Sequence, residues 1–179
     1  MTRPAVLFIG GFADTLMKAV RGFVTEELRR ANPGHDIHYF CHYQGRQASA
    51  LLASLAAGTA VTVVGHSWGG HLAAQLAAGA ARPFRLLVTI DPVGHHLPKT
   101  FYPRVRRGAQ EWINVQAVGG PVWDRSNIVA RIGRPYGSAP QAVADIGIDA
   151  PVTHRCFREM MAEHCPDGRR VLDRVFAPG

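Results

Sequence analysis

The chain has 179 residues, enough for one domain with a buried core, and 47% of them are hydrophobic against 18% charged, a balance that excludes a disordered chain. The formal net charge of +7 is carried by arginine, since lysine occurs only at Lys18 and Lys99. The arginines are scattered, with short clusters at Arg104, Arg106, Arg107 and at Arg169, Arg170, Arg174 and no interleaved aromatic platform, so no nucleic-acid partner is expected; a solvated basic face open to peripheral contact with anionic surfaces is.

Three cysteines (Cys41, Cys156, Cys165) without a CxxC pair argue against a disulfide framework and fit a reducing compartment. The opening Met-Thr-Arg-Pro leads into an apolar run too short for a signal peptide or a membrane span, which points to a cytoplasmic protein.

In chain order, Ala5 to Ile9 reads as a buried strand closed by Gly10-Gly11. A helix follows from Asp14 to Ala31, with Asp14 or Thr15 as its cap, Leu16, Val20, Phe23, Val24 and Leu28 on one face, and Asn32-Pro33-Gly34 as its stop. Residues 36 to 41 form a second strand. The surrounding His35, His38, Cys41 and His42 have zinc-like spacing, but strand alternation sends them to opposite faces, so no metal site is expected. Arg46 to Ala57 is Ala- and Leu-rich and helical, ending at Gly58.

Val61 to Val64 suits a strand buried on both faces, and Gly69 to Ala78 reads as a helix with Leu72 and Leu76 four apart. Between them stands Gly65-His66-Ser67-Trp68-Gly69-Gly70. A serine squeezed between strand and helix is forced into a strained conformation, and Gly65 and Gly69 remove the side chains that would collide around the bend. The hydroxyl of Ser67 is then exposed where the first helical amides point at whatever it attacks, and the Trp68 amide is placed to stabilise an oxyanion.

Arg85 to Ile90 is another buried strand, ending in Asp91-Pro92-Val93-Gly94. Alternating strands and helices imply a mostly parallel sheet in a three-layer α/β/α sandwich, a single domain over residues 1–179, with its active site at the carboxyl ends of the strands, where Gly11, Ser67 and Asp91 fall. Residues 94–111 break the pattern and read as a small cap or rim over the site. Trp112 to Val118 alternates like a strand. Residues 119–151 are rich in Gly, Pro and Ala and read as loop over the core, holding short segments such as Ser126 to Ile132 and a last strand-like stretch at 146–148. Arg155 to His164 and Arg170 to Phe176 read as helices.

The elbow, preceded by Val-Val, resembles the nucleophile elbow of the α/β-hydrolase family, and the order of segments is compatible with that family over most of the chain, although 179 residues is short for it and implies missing edge strands or lid. The resemblance implies a compact α/β-hydrolase fold. It makes the amide of Phe12, beside Gly11, the second oxyanion donor, although Gly-Gly-Phe stands here in place of the more usual His-Gly.

A serine hydroxyl needs a base, and the base needs a carboxylate to fix its tautomer. Among nine histidines, His154 resembles the family's catalytic histidine, lying after the last strand-like stretch and before a helix; His95 and His96 are its rivals. For the acid, Asp91 ends its strand immediately after the elbow helix, as in pancreatic-type lipases, and is favoured over Asp124, the commoner family position. The expectation is a serine hydrolase acting on small-molecule acyl esters, esterase- or lipase-like and including thioesters, with no metal or organic cofactor. Gly11, Trp68, His95, Phe101 and Tyr102 would line the substrate, favouring apolar acyl groups. Alternatives are a catalytically silent module whose basic rim at Arg104 to Arg107 holds an anionic partner or membrane, and an acyltransferase using the same residues.

Overall fold

A computed structural model describes residues 2–12, 14–95 and 97–177. Six strands form one sheet in the order β2-β1-β3-β4-β5-β6: β1 (Ala5–Gly10), β2 (Asp36–Cys41), β3 (Val61–His66), β4 (Phe84–Ile90), β5 (Ala109–Ala117) and β6 (Ile146–Ala150). Every pairing is parallel, so all six carboxyl ends emerge at one edge.

The central strands are buried on both faces, which is why their sequences are unbroken apolar runs. Alternation divides them. Val6, Phe8, Val64, Leu86, Val88, Ile113 and Val115 face a core closed by α2 (Glu26–Ala31), α7 (Phe157–Ala162) and α8 (Val171–Val175). Leu7, Ile9, Val63, Leu87 and Trp112 face the other, closed by α3 (Gly45–Ser54), α4 (Trp68–Ala78) and α5 (Phe101–Arg107). The result is the three-layer sandwich expected.

Four readings of the sequence need correction. The helix expected over 14–31 is divided into α1 (Asp14–Met17) and α2. The Asp14 carboxylate accepts from the amides of Val20 (2.8 Å) and Arg21 (2.9 Å), pulling the chain into a turn that Lys18 enters at φ 55°, so a side chain outcompetes the helical ladder.

Within the segment read as a cap, Phe101–Arg107 form a helix, α5, that packs against the sheet and not over the site. Parallel strands β4 and β5 require a crossover, and α5 is that crossover, its Phe101 and Val105 buried against the sheet. The arginines of its last turn lie at the edge where β5 begins, opposite Ser67; Arg104 donates to the Ala78 carbonyl and Arg106 pairs with Asp145 at 2.6 Å. The strand expected from Trp112 starts earlier, at Ala109.

Residues 119–151 hold more order than a loop: α6 (Arg125–Ile132), a 3-10 turn at Pro140–Ala142 and β6. His35, His38, Cys41 and His42 diverge as alternation requires: His35 packs edge-on to Phe176, and His42 turns its Nδ1 to the Gly11 carbonyl at 3.1 Å. Among the described residues no helix is long and apolar enough to cross a membrane.

Candidate active site

Ser67 occupies the single residue between β3 and α4, at φ 57° and ψ −126°. A non-glycine residue there costs about 1–3 kcal/mol and persists only where its surroundings fix it. The Ser67 amide donates to Ile90 O (3.0 Å), and its carbonyl accepts from His71 (3.1 Å) and Val93 (3.3 Å). Close approach explains the glycines: a Cβ on Gly65 would stand 2.3 Å from the Gly69 carbonyl oxygen, and one on Gly69 2.2 Å from the carbonyl oxygen of Ile9.

His154 lies in the turn after β6, ahead of α7, and is 5% exposed. Its Nε2 is 2.9 Å from Ser67 Oγ and its Nδ1 is 2.6 Å from Asp91 Oδ2. A carboxylate oxygen accepts, so Nδ1 carries the proton and Nε2 is left to accept a hydrogen bond from the Ser67 hydroxyl. The second Asp91 oxygen accepts from the Ala117 amide at 3.2 Å, which orients the carboxylate. Ser67, His154 and Asp91 thus come from the ends of β3, β6 and β4, brought together by the common polarity of the strands.

Asp124 does not reach His154. It caps α6, accepting from the amides of Ser126 (2.8 Å) and Asn127 (3.4 Å) and from the Ser126 hydroxyl, and that hydroxyl bond above all holds its carboxyl below the usual carboxylate range.

Ser67, His66 and His154 open on a cavity of about 470 Å³, walled by Gly11, Phe12, Met17, Ala19 and Val129. Gly11 passes close by: a Cβ there would fall 2.7 Å from Ser67 Cβ and 3.2 Å from its hydroxyl. The Trp68 amide, at the first position of α4, has no intrahelical acceptor, and Phe12, next to Gly11 in the loop after β1, lines the same cavity as Ser67.

The expected aromatic lining is absent from this cavity. Phe101 is buried and Tyr102 half-buried in the α5 layer, their rings 6.1 and 5.4 Å from Tyr136, because a crossover helix must bury its apolar face. Trp68 and His95 pack on each other at 5.3 Å beside the elbow, outside the cavity. His96 lies outside the described residues.

A larger open groove of about 960 Å³ lies at the opposite edge, between α3 and α4. It is lined by no histidine, cysteine or carboxylate, so its size carries no chemistry.

Two residues at the site escaped the sequence reading. Asn127 accepts from the His154 amide (3.0 Å) while its Nδ2 donates to the carbonyls of Gly119 (3.3 Å) and Pro121 (3.2 Å), tying α6 to the turn that carries His154. Nothing in its local sequence marks it. His66 donates Nε2–H to the His154 carbonyl at 2.7 Å, with ring centroids 4.8 Å apart. Its place next to Ser67 was the available signal.

Burial, and then the neighbouring His154, lower the His66 pKa to about 4. The unfolded ring titrates near 6.5, so on acidification the unfolded chain takes up the proton first. The contribution of the neutral buried ring is complete above pH about 6.5 and is lost as pH falls towards 4, on the order of 3 kcal/mol in all. Urea unfolding between pH 7.5 and 4.5 is expected to show a shallower loss of stability in His66→Gln than in the parent. Equal slopes would mean that His66 is not a source of acid sensitivity.

The parallel six-stranded sheet, with helices on both faces and a strained serine at a strand-to-helix elbow, defines an α/β-hydrolase-like protein. The model of the alpha/beta hydrolase family matches residues 10–177, and the chain belongs to that family. No curated protein matches it in sequence.

Proposed function

We propose that this protein is a serine hydrolase that cleaves carboxylic esters, thioesters included, through an acyl-serine intermediate. The observation that carries this reading is the unbroken chain of hydrogen bonds from Ser67 Oγ through His154 to Asp91, with both contacts at or below 2.9 Å.

In the proposed cycle His154 Nε2 takes the Ser67 proton as Oγ bonds to the substrate carbonyl carbon. The carbonyl oxygen becomes an oxyanion held by the amides of Trp68 and Phe12. Collapse breaks the bond to the alcohol, which leaves with the proton from Nε2. Water then repeats the sequence on the acyl-serine, releasing the acid and restoring the hydroxyl. Asp91 keeps the Nδ1 tautomer throughout and balances the charged ring. An apolar acyl group suits the walls of Met17, Ala19 and Val129.

A fluorophosphonate probe forms a stable adduct only with an activated serine. Peptide mass spectrometry is expected to place the adduct on Ser67, and His154→Ala is expected to abolish it with the fold intact. A well-folded parent protein that takes no adduct would leave a silent hydrolase-like module as the better reading.

A further inference from the structure

The exposed large apolar side chains are not spread over the surface. Among the described residues, every one lies in a segment that follows β1, β2 or β5, and because the strands are parallel these segments leave from one edge, the edge that holds Ser67. On one side of the cavity mouth stand Leu16 (82% exposed) and Met17; on the other stand Val122, Trp123 (75%), Val129 and Ile132. A bridge between Val93 and Pro135 keeps the segment after α6 at the same edge. Met17 and Val129 also wall the cavity, so the apolar rim continues into it.

Apolar side chains concentrated in this way mark a face that meets something other than water. Charge selects the occupant. Lys18, Arg21, Arg125 and Arg134 are exposed along this edge, and none is held in a salt bridge among the described residues. The carboxylates here are engaged within the fold: Asp14 is bound by two amides and the Tyr39 hydroxyl (2.6 Å), Asp91 holds His154, Asp124 caps α6, and the exposed Asp149 near the end of β6 accepts from the Gln141 side chain (2.9 Å). A second copy would set these cations against their own kind. An anionic lipid surface offers the complement, with acyl chains to receive Leu16 and Trp123 and headgroups to receive the arginines.

We infer that the carboxyl edge of the sheet docks on anionic lipid surfaces, with the cavity of Ser67 opening towards the lipid. This places membrane contact at the site itself and not at the arginines of α5, which lie at the other edge.

The test uses the Ser67→Ala protein, so that binding is read without turnover and independently of the chemistry proposed above. Sedimentation with phosphatidylcholine vesicles containing about a third phosphatidylglycerol is expected to capture the protein at least tenfold better than phosphatidylcholine alone. Tryptophan fluorescence should shift to the blue on binding and lose that shift in Trp123→Phe. Leu16→Ser with Trp123→Ser should weaken binding about tenfold or more. Arg125→Gln with Arg134→Gln should weaken it about thirtyfold, from about 1 kcal/mol per charge.

Absence of vesicle binding overturns the inference. So does binding that the apolar pair leaves within twofold, which would make it a matter of net charge. A dimer in analytical ultracentrifugation that Leu16→Ser with Trp123→Ser dissolves would assign the face to a second copy. An enzyme active on soluble esters but indifferent to vesicles would overturn the docking alone; a labelling-inert protein that binds them would overturn only the hydrolase reading.

Discussion

Asp91→Asn is expected to lower kcat on a soluble ester by about four orders of magnitude while leaving the fold intact. The reason is a proton's position. Asp91 Oδ2 accepts from His154 Nδ1 at 2.6 Å, which leaves Nε2 free to take the serine proton. An amide nitrogen in that place donates to Nδ1 instead, moves the ring proton to Nε2, and turns the base into a donor facing the nucleophile. The orienting bond from the Ala117 amide goes to the other oxygen, at 3.2 Å, and an amide that presents its oxygen there keeps it, so geometry survives while function is lost. Asp124→Asn is the paired control. Its carboxylate serves α6, and asparagine is itself a good cap, so turnover should change by less than about threefold. Steady-state kinetics on both variants decide the matter; a loss from Asp124→Asn comparable with that from Asp91→Asn would mean that the acid has been misassigned.

Gly69→Ala is expected to prevent folding, or to destabilise the protein by more than about 3 kcal/mol in urea unfolding. The added Cβ would stand 2.2 Å from the Ile9 carbonyl oxygen, 2.7 Å from its carbon and 2.8 Å from the Gly10 oxygen. All three are backbone atoms of β1, so no rotamer change relieves the collision and α4 would have to leave the sheet. Gly79→Ala, at the C-cap of the same helix, meets nothing nearer than 3.6 Å and has an ordinary φ of −107°. It should be neutral or stabilising by up to about 1 kcal/mol. A Gly69→Ala protein as stable as the parent would show that close packing of α4 on β1 is not what the glycine provides.

What could be read from the residues alone was whatever depends on local pattern. The central strands are buried on both faces, so their β-branched runs have no competing interpretation, and the elbow follows from a strand meeting a helix across Ser67. Asp91 could be preferred to Asp124 because a strand end fixes position and a loop does not. The misreadings have specific causes. Leu16, Val20, Phe23, Val24 and Leu28 do have helical spacing, but the Asp14 carboxylate binds two amides further along and breaks the ladder. Pro103 made residues 94–111 look irregular, yet it sits in the first turn of α5, where a missing amide is tolerated. Taking α5 for a rim carried Phe101 and Tyr102 into the site with it. The ties from His66 and Asn127 to His154 cross 88 and 27 residues of chain, and no local rule reaches that far.

The proposed base is the member of the site with the least support from the sheet. His154 follows β6, an outermost strand that pairs with β5 alone, whereas Ser67 and Asp91 follow interior strands held from both sides. Opening at a sheet margin needs fewer broken pairings than opening at its centre, so fluctuations that peel β6 away outnumber those that disturb the nucleophile. On the proposed mechanism, such opening would remove the proton acceptor of Ser67 while most of the architecture stands. Asn127 and His66, which grip the His154 backbone from opposite sides, act as the clasps on that margin.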